Sequence, residues 1–163
     1  MDLDLIDHLI QDWGVERPDL DASSMHIVGR LLFLGKKLER RASVNLKEIG
    51  INYTDLDVLA TLRRKGAPYG LSPKELMQSV LITSGALTTL IDRLERLGLI
   101  YRAPDIKDGR VKKVVLTDAG KELIDRAIEV RFAEASDAIK SLSQQEKEIL
   151  IPILKKLLSQ IIK

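Results

Sequence analysis

Cysteine is absent from the 163 residues, and histidine occurs only twice, at His8 and His26. The first absence excludes disulfide scaffolds, thiolate metal sites, iron–sulfur clusters and thiol nucleophiles. The second leaves little for a histidine metal site or for the commonest general base. No cofactor and no metal are expected. Neither a Gly-rich phosphate loop, nor a G-x-S-x-G elbow, nor an H-E-x-x-H pair is present, so enzyme chemistry is not expected either. The acid pairs Asp55/Asp57 and Asp105/Asp108 fall in a capping segment and a turn, where structural roles suffice. No apolar run approaches the ~18 residues of a membrane span; the longest, Ile149 to Leu154, is six residues and contains Pro152. Met1-Asp2-Leu3-Asp4 is acidic where a secretory leader is basic, so the expected location is cytoplasmic, with no membrane partner.

What is present is a folding composition: 45% apolar and 31% charged residues, in a chain long enough for one ordinary domain. The net charge of +2 conceals an asymmetry. Between residues 60 and 116 stand eleven Lys and Arg against five Asp and Glu, while the rest of the chain carries fifteen against nineteen. A basic centre between acidic ends points to a polyanionic partner for that centre. A solvated face with uneven charge is the competing reading.

Leu3, Ile6, Leu9, Ile10 and Trp13 recur at helical spacing and predict a helix over 3–13, interrupted by the stretch from Gly14 to Asp21. A longer helix is predicted over 25–46, capped by Ser23 or Ser24. Thr54 with Asp57 resembles a capping box for a helix ending near Lys65. Gly66 to Gly70 reads as a turn. Ser72, Pro73 and Glu75 then supply an N-cap, a first-turn proline and a capping-box acid. The helix they open is short, because Thr83 offers a new cap and a second helix is predicted from Ser84 to Leu97, stopped by Gly98. Two helices with a tight connection outline a helix-turn-helix. Residues 99–103 and 111–116 read as strands around a turn holding Asp108-Gly109, which makes the hairpin a wing; the poor alternation of the second strand leaves its register open. Thr117 caps a helix predicted over 118–140, with Leu123, Ile124, Ile128 and Phe132 on one side. Ser143 and Glu146 box a last helix to Ile162, which Pro152 should kink unless it follows the first turns. The expected fold is mainly α with a small β-hairpin wing, a winged helix-turn-helix between N- and C-terminal dimerisation helices.

On the second helix of the pair, Leu87, Leu90, Ile91, Leu94 and Leu97 fall on one side and should pack inward. Ser84, Gly85, Thr88 and Thr89 lie on the other, toward the helix N-terminus that enters the major groove in such folds. They are small, so the backbone can approach closely, but their hydroxyls discriminate bases less than bidentate Arg or Asn do. Arg93 and Arg96 suit phosphates, or else ion pairs with nearby acids. On the wing, Lys107, Arg110, Lys112 and Lys113 place four cations on a tip with no core to serve. There Asp108 can orient Arg110 toward a narrow minor groove, and the lysines neutralise phosphate.

The stretches Leu71-Ser-Pro-Lys-Glu-Leu, Ser84-Gly-Ala-Leu-Thr-Thr-Leu-Ile-Asp-Arg-Leu-Glu-Arg-Leu-Gly-Leu-Ile, Asp105-Ile-Lys-Asp-Gly-Arg and Val114-Val-Leu-Thr-Asp-Ala-Gly resemble MarR-type winged helix-turn-helix transcriptional regulators. The resemblance implies a homodimer on double-stranded DNA, usually a repressor released by a small anionic or phenolic effector. It assigns Asp108 and Arg110 to the wing pair. Trp13, Glu16 to Asp21 and Leu56 to Arg64 are more narrowly similar to the urate-responsive, PecS-like branch, which places Trp13, Asp57 and Arg64 at a ligand site. The branch carries an Arg in the recognition helix where this chain has Leu90. The alternative for these three residues is a Trp packed in a dimer core and two surface charges on one helix face.

In the last helix Ile149, Leu150, Ile153, Leu154, Leu157, Leu158, Ile161 and Ile162 form an apolar stripe of eight residues, more than a small winged helix can cover, which favours a homodimer. The expected organisation is a helical dimerisation region, residues 1–47 and 118–163, intertwined with a DNA-binding region, residues 54–117. The expected activity is sequence-specific operator binding on a pseudo-palindrome. The alternative is a ligand-independent architectural or low-specificity DNA-binding protein.

Overall fold

The computed structural model describes residues 2–80, 84–105 and 111–161, as two units, residues 1–54 and 55–163.

In the first unit, helix α1 (Leu5–Glu16) opens on a capping box. Asp4 Oδ1 accepts the N–H groups of Ile6 (2.8 Å) and Asp7 (3.1 Å), and Asp7 Oδ2 accepts the Asp4 N–H at 3.1 Å. The helix runs through Gly14, three residues past the predicted end, because one glycine weakens a helix without breaking it. Helix α2 (Met25–Glu48) has Ser24 at its N-cap, but with helical backbone angles and no side-chain cap bond, contrary to the expectation for Ser23 or Ser24. Arg30 of α2 donates to Asp4 Oδ2 (2.8 Å) and Asp7 Oδ1 (2.6 Å), tying α2 to the start of α1. The two helices approach closely where buried Ile6 meets Gly29, at which a Cβ would sit 3.1 Å from Ile6 Cγ2. Their other faces carry Leu9, Trp13, Ile27, Leu32 and Leu34 exposed.

The second unit takes in nearly all of α3 (Tyr53–Arg64), then β1 (Gly70–Leu71), α4 (Pro73–Met77), α5 (Ser84–Arg96), β2 (Ile100–Pro104), β3 (Lys112–Leu116), α6 (Asp118–Ala138) and α7 (Gln144–Ile161). The Thr54/Asp57 box does not form: the helix starts at Tyr53, and the Thr54 hydroxyl donates to Asn52 Oδ1 at 2.8 Å. The sheet is antiparallel in the order β1-β3-β2, with Ile100 opposite Leu116 and Arg102 opposite Val114. Strand β1 was not expected, and it explains why β3 does not alternate. As the central strand, β3 buries Val114, Val115 and Leu116 in succession. Leu59, Leu62, Leu76, Leu87, Leu94, Ile100 and Ile124 complete the core.

Thr117 bolts α6 to the turn after α5. Its Oγ1 accepts the Gly120 N–H at 2.9 Å and its hydroxyl donates to the Gly98 carbonyl O at 2.7 Å. Gly98 closes α5 with φ +68°, where a side chain is strained. Gly120 lies so close to the backbone of Leu99 that a Cβ there would fall 1.9 Å from the Leu99 carbonyl O. Along α6, Ile124 is buried but Phe132, predicted on the same side of the helix, is exposed. Helix α7 begins at the expected Ser143/Glu146 box, continues through Pro152, and buries none of its residues within the chain.

Candidate nucleic-acid interface

The short first helix of the pair is fixed at its start by Ser72, whose Oγ accepts the Glu75 N–H while Glu75 Oε2 accepts the Ser72 N–H at 2.8 Å. These donors hold the Glu75 carboxyl below the usual glutamate range, with smaller help from Lys113 and Lys65. The second helix, α5, divides as its 3.6-residue period requires: Leu87, Leu90, Ile91 and Leu94 are buried, and Gly85, Thr88, Thr89, Asp92 and Arg96 are exposed. Leu97, expected inward, is also exposed, because it lies past the last helical turn. Ser84 opens the helix. The Thr89 hydroxyl donates back to the Gly85 carbonyl O at 3.2 Å.

The two arginines predicted for phosphate separate. Arg93 is turned toward the core, where its guanidinium pairs with both oxygens of Asp55, a carboxylate with no exposed surface. Of its two expected alternatives, phosphate contact or ion pairing, the structure places it in an ion pair, because a buried carboxylate is far more demanding than solvent. Arg96 is exposed, and its Nε donates to the Asp92 carbonyl O at 3.4 Å. A third arginine, Arg102 on β2, was not singled out by the sequence. Its guanidinium pairs with Asp92 and Glu95 of α5, and its N–H donates to Glu95 Oε1 at 3.2 Å. Those acids raise its pKa, Asp92 most. The available signal was two acids three apart on the helix, with an arginine one turn beyond Gly98.

On the hairpin, Lys112 is exposed. Lys113 stands in an ion pair, its Nζ 2.7 Å from Asp105 Oδ2, and Asp105 holds its pKa above the ordinary lysine value. Lys107, Asp108 and Arg110 lie outside the described residues.

Of the three residues expected at a ligand site, Trp13 is exposed on α1 in the first unit, while Asp57 and Arg64 stand on α3 in the second. The Arg64 guanidinium reaches the Ser79 carbonyl O at 3.5 Å. It donates to Thr61 Oγ1 (2.9 Å), and it lines an open cleft of about 340 Å³ with Lys65, Glu75 and Gln78. Leu90, where the resembled branch carries Arg, is 8% exposed and belongs to the core of α5. No group of three or more His, Cys, Asp or Glu suited to a metal occurs among the described residues, and no described helix is long and apolar enough to cross a membrane.

A short helix and a second helix with an exposed hydroxyl-bearing face, followed by a pair of antiparallel strands, make a winged helix-turn-helix, a DNA-binding class. The chain belongs to the MarR family of transcriptional regulators, whose family model matches residues 49–111. It is 34% identical over 149 residues to the HTH-type transcriptional regulator PecS of Dickeya dadantii (strain 3937), covering 91% of this chain and 90% of that one. It is 35% identical over 124 residues to the HTH-type transcriptional regulator YkoM of Bacillus subtilis (strain 168), covering 74% and 77%. A crystal structure of a MarR mutant from E. coli complexed with operator DNA superposes with a TM-score of 0.73 at 28% identity, covering 85% of this chain and 99% of that one.

Proposed function

We propose that the protein is a homodimeric, sequence-specific repressor that binds a pseudo-palindromic operator and is released by a small anionic aromatic ligand. The observation that carries the DNA reading is the exposed Gly85–Thr88–Thr89 face of α5, held outward by its buried leucines and isoleucine. With Ser84 it enters the major groove, Arg96 and Lys112 neutralise phosphate, and Lys107, Asp108 and Arg110 act on the neighbouring minor groove. A two-fold dimer sets the two recognition helices one DNA turn apart, about 34–36 Å. Support for the dimer comes from Ile149, Leu150, Ile153, Leu154 and Leu158, which α7 leaves exposed in one chain. The MarR relative crystallised with operator DNA supports the same reading.

For the effector, Trp13 offers a stacking surface, Arg64 an anion partner and Asp57 an acceptor for a ring N–H or phenol. With Leu90 apolar, Arg64 is the cation expected to meet the ligand's charge. Anisotropy titration of a labelled fragment of the gene's own promoter against scrambled duplex tests the core reading. Strong preference for the promoter fragment is expected, whereas equal affinity returns the protein to the low-specificity class. Titration with urate, salicylate and related phenolics is expected to quench Trp13, the single tryptophan, and to weaken operator binding. A flat response across the panel removes the site.

A further inference from the structure

Two acids stand where the DNA-facing side of α5 needs none. Asp92 lies one turn after Thr88 and one turn before Arg96 on the exposed strip, and Glu95 is at its edge. A bare carboxylate there would repel phosphate, and Asp92 would compete with phosphate for Arg96, its i,i+4 neighbour. Neither happens in this geometry, because Arg102 reaches across from β2 and takes both carboxylates, one on each nitrogen of its fork. Its backbone N–H adds a bond to Glu95, so the strand and the helix are joined at three points. Lysine, a single point charge, cannot span two acids in this way. Arg102 and Thr88 line one cleft, which places this neutralisation next to the groove-facing residues.

We infer that Arg102 is a positioning residue for DNA binding: it neutralises Asp92 and Glu95, keeping their charge from the duplex and leaving Arg96 to phosphate. The inference rests on the operator reading above. The test compares operator Kd, by anisotropy, for wild type, Arg102→Ala, the double variant Asp92→Asn/Glu95→Gln, and the triple variant. Arg102→Ala is expected to weaken binding about tenfold, the effect of exposing unpaired like charge to the duplex. The double variant is expected to bind as wild type or more tightly, and the triple variant to return to within about threefold of the double. A merely structural bond would not be replaced by removing its acceptors, so this rescue separates the two roles. If Arg102→Ala binds like wild type, or the triple variant is as weak as Arg102→Ala, the role is wrong. Should Arg102→Ala not fold by circular dichroism, the double variant still decides, and binding more than about threefold weaker than wild type overturns the proposal. Wild type that does not prefer its promoter fragment removes the operator reading itself and this role with it. Wild type that binds, with the variants out of pattern, removes only the role of Arg102.

Discussion

Removing the guanidinium of Arg93 leaves the Asp55 carboxylate buried and short of its main cation. Breaking a buried pair from one side costs about 3–5 kcal/mol, and the partial exposure of Arg93 places Arg93→Ala near the lower end of that range. Urea unfolding should show the loss, with operator affinity of the folded fraction nearly unchanged. Arg110→Ala is expected to do the opposite: about 1–3 kcal/mol of operator affinity lost by anisotropy, with the unfolding midpoint unmoved. The contrast reflects what a helical wheel can and cannot reveal. It separates Thr88 and Thr89 from Leu87 and Ile91 correctly, because that depends on period alone. It cannot separate Arg93 from Arg96, because the acid that claims Arg93 lies 38 residues away on another helix. Arg102 escaped for the same reason, its partners being defined by how β2 passes α5.

Elements with local signals were legible in the sequence. Ser72-Pro73-x-Glu75 and Ser143-x-x-Glu146 each form the predicted box, and Thr117 caps α6. Strand β1 was not legible: two residues have no period, and the pairing of Gly70 with Val115 is wholly non-local. At Gly120, alanine would gain about 1 kcal/mol of helix propensity, yet its Cβ would meet a carbonyl oxygen at 1.9 Å that the backbone cannot withdraw. Overpacking of that kind costs about 3 kcal/mol, so Gly120→Ala should be destabilised in urea despite the better helix former. The capping boxes predict an acid limb. Ser72 and Ser143 hold the Glu75 and Glu146 carboxyls below the ordinary glutamate value. Their stabilisation is complete above that ordinary value and is lost as pH falls through the lower folded-state values. The Tm measured against pH should therefore drop in that acid window. Glu75→Gln with Glu146→Gln, which keep a proton-independent box, should flatten the drop.

At the scale of the whole molecule, the apolar residues that α7 leaves in water decide the state of assembly. Fully burying a Leu or Ile stabilises by about 1.5–3 kcal/mol, so Ile149, Leu150, Ile151, Ile153, Leu154, Leu158 and Ile161 represent a large incentive to pair. Light scattering should report twice the chain mass, 36.6 kDa from two chains of 18.3 kDa, and Tm should rise with protein concentration. Replacing Ile153 and Leu154 with Lys is expected to give monomers with reduced operator affinity. The sequence displayed this stripe plainly, since helical spacing needs no tertiary knowledge. What it left blank is where Phe132 and Trp13 go, because a single chain does not set the fate of a surface another copy can cover.

The bolt at Thr117 gives α6 the character of a lever. Its fulcrum, Gly120 on the Leu99 carbonyl, is one short turn from the end of the recognition helix. At 1.5 Å per residue the 21 residues of α6 form an arm of about 30 Å, so a swing of about 5 Å at the far end is a rotation of only about 10° at the pivot. A shift of several ångströms at the far end of α6 is thereby scaled to about 10° where Gly120 meets Leu99, a gear reduction built from one threonine and one missing side chain.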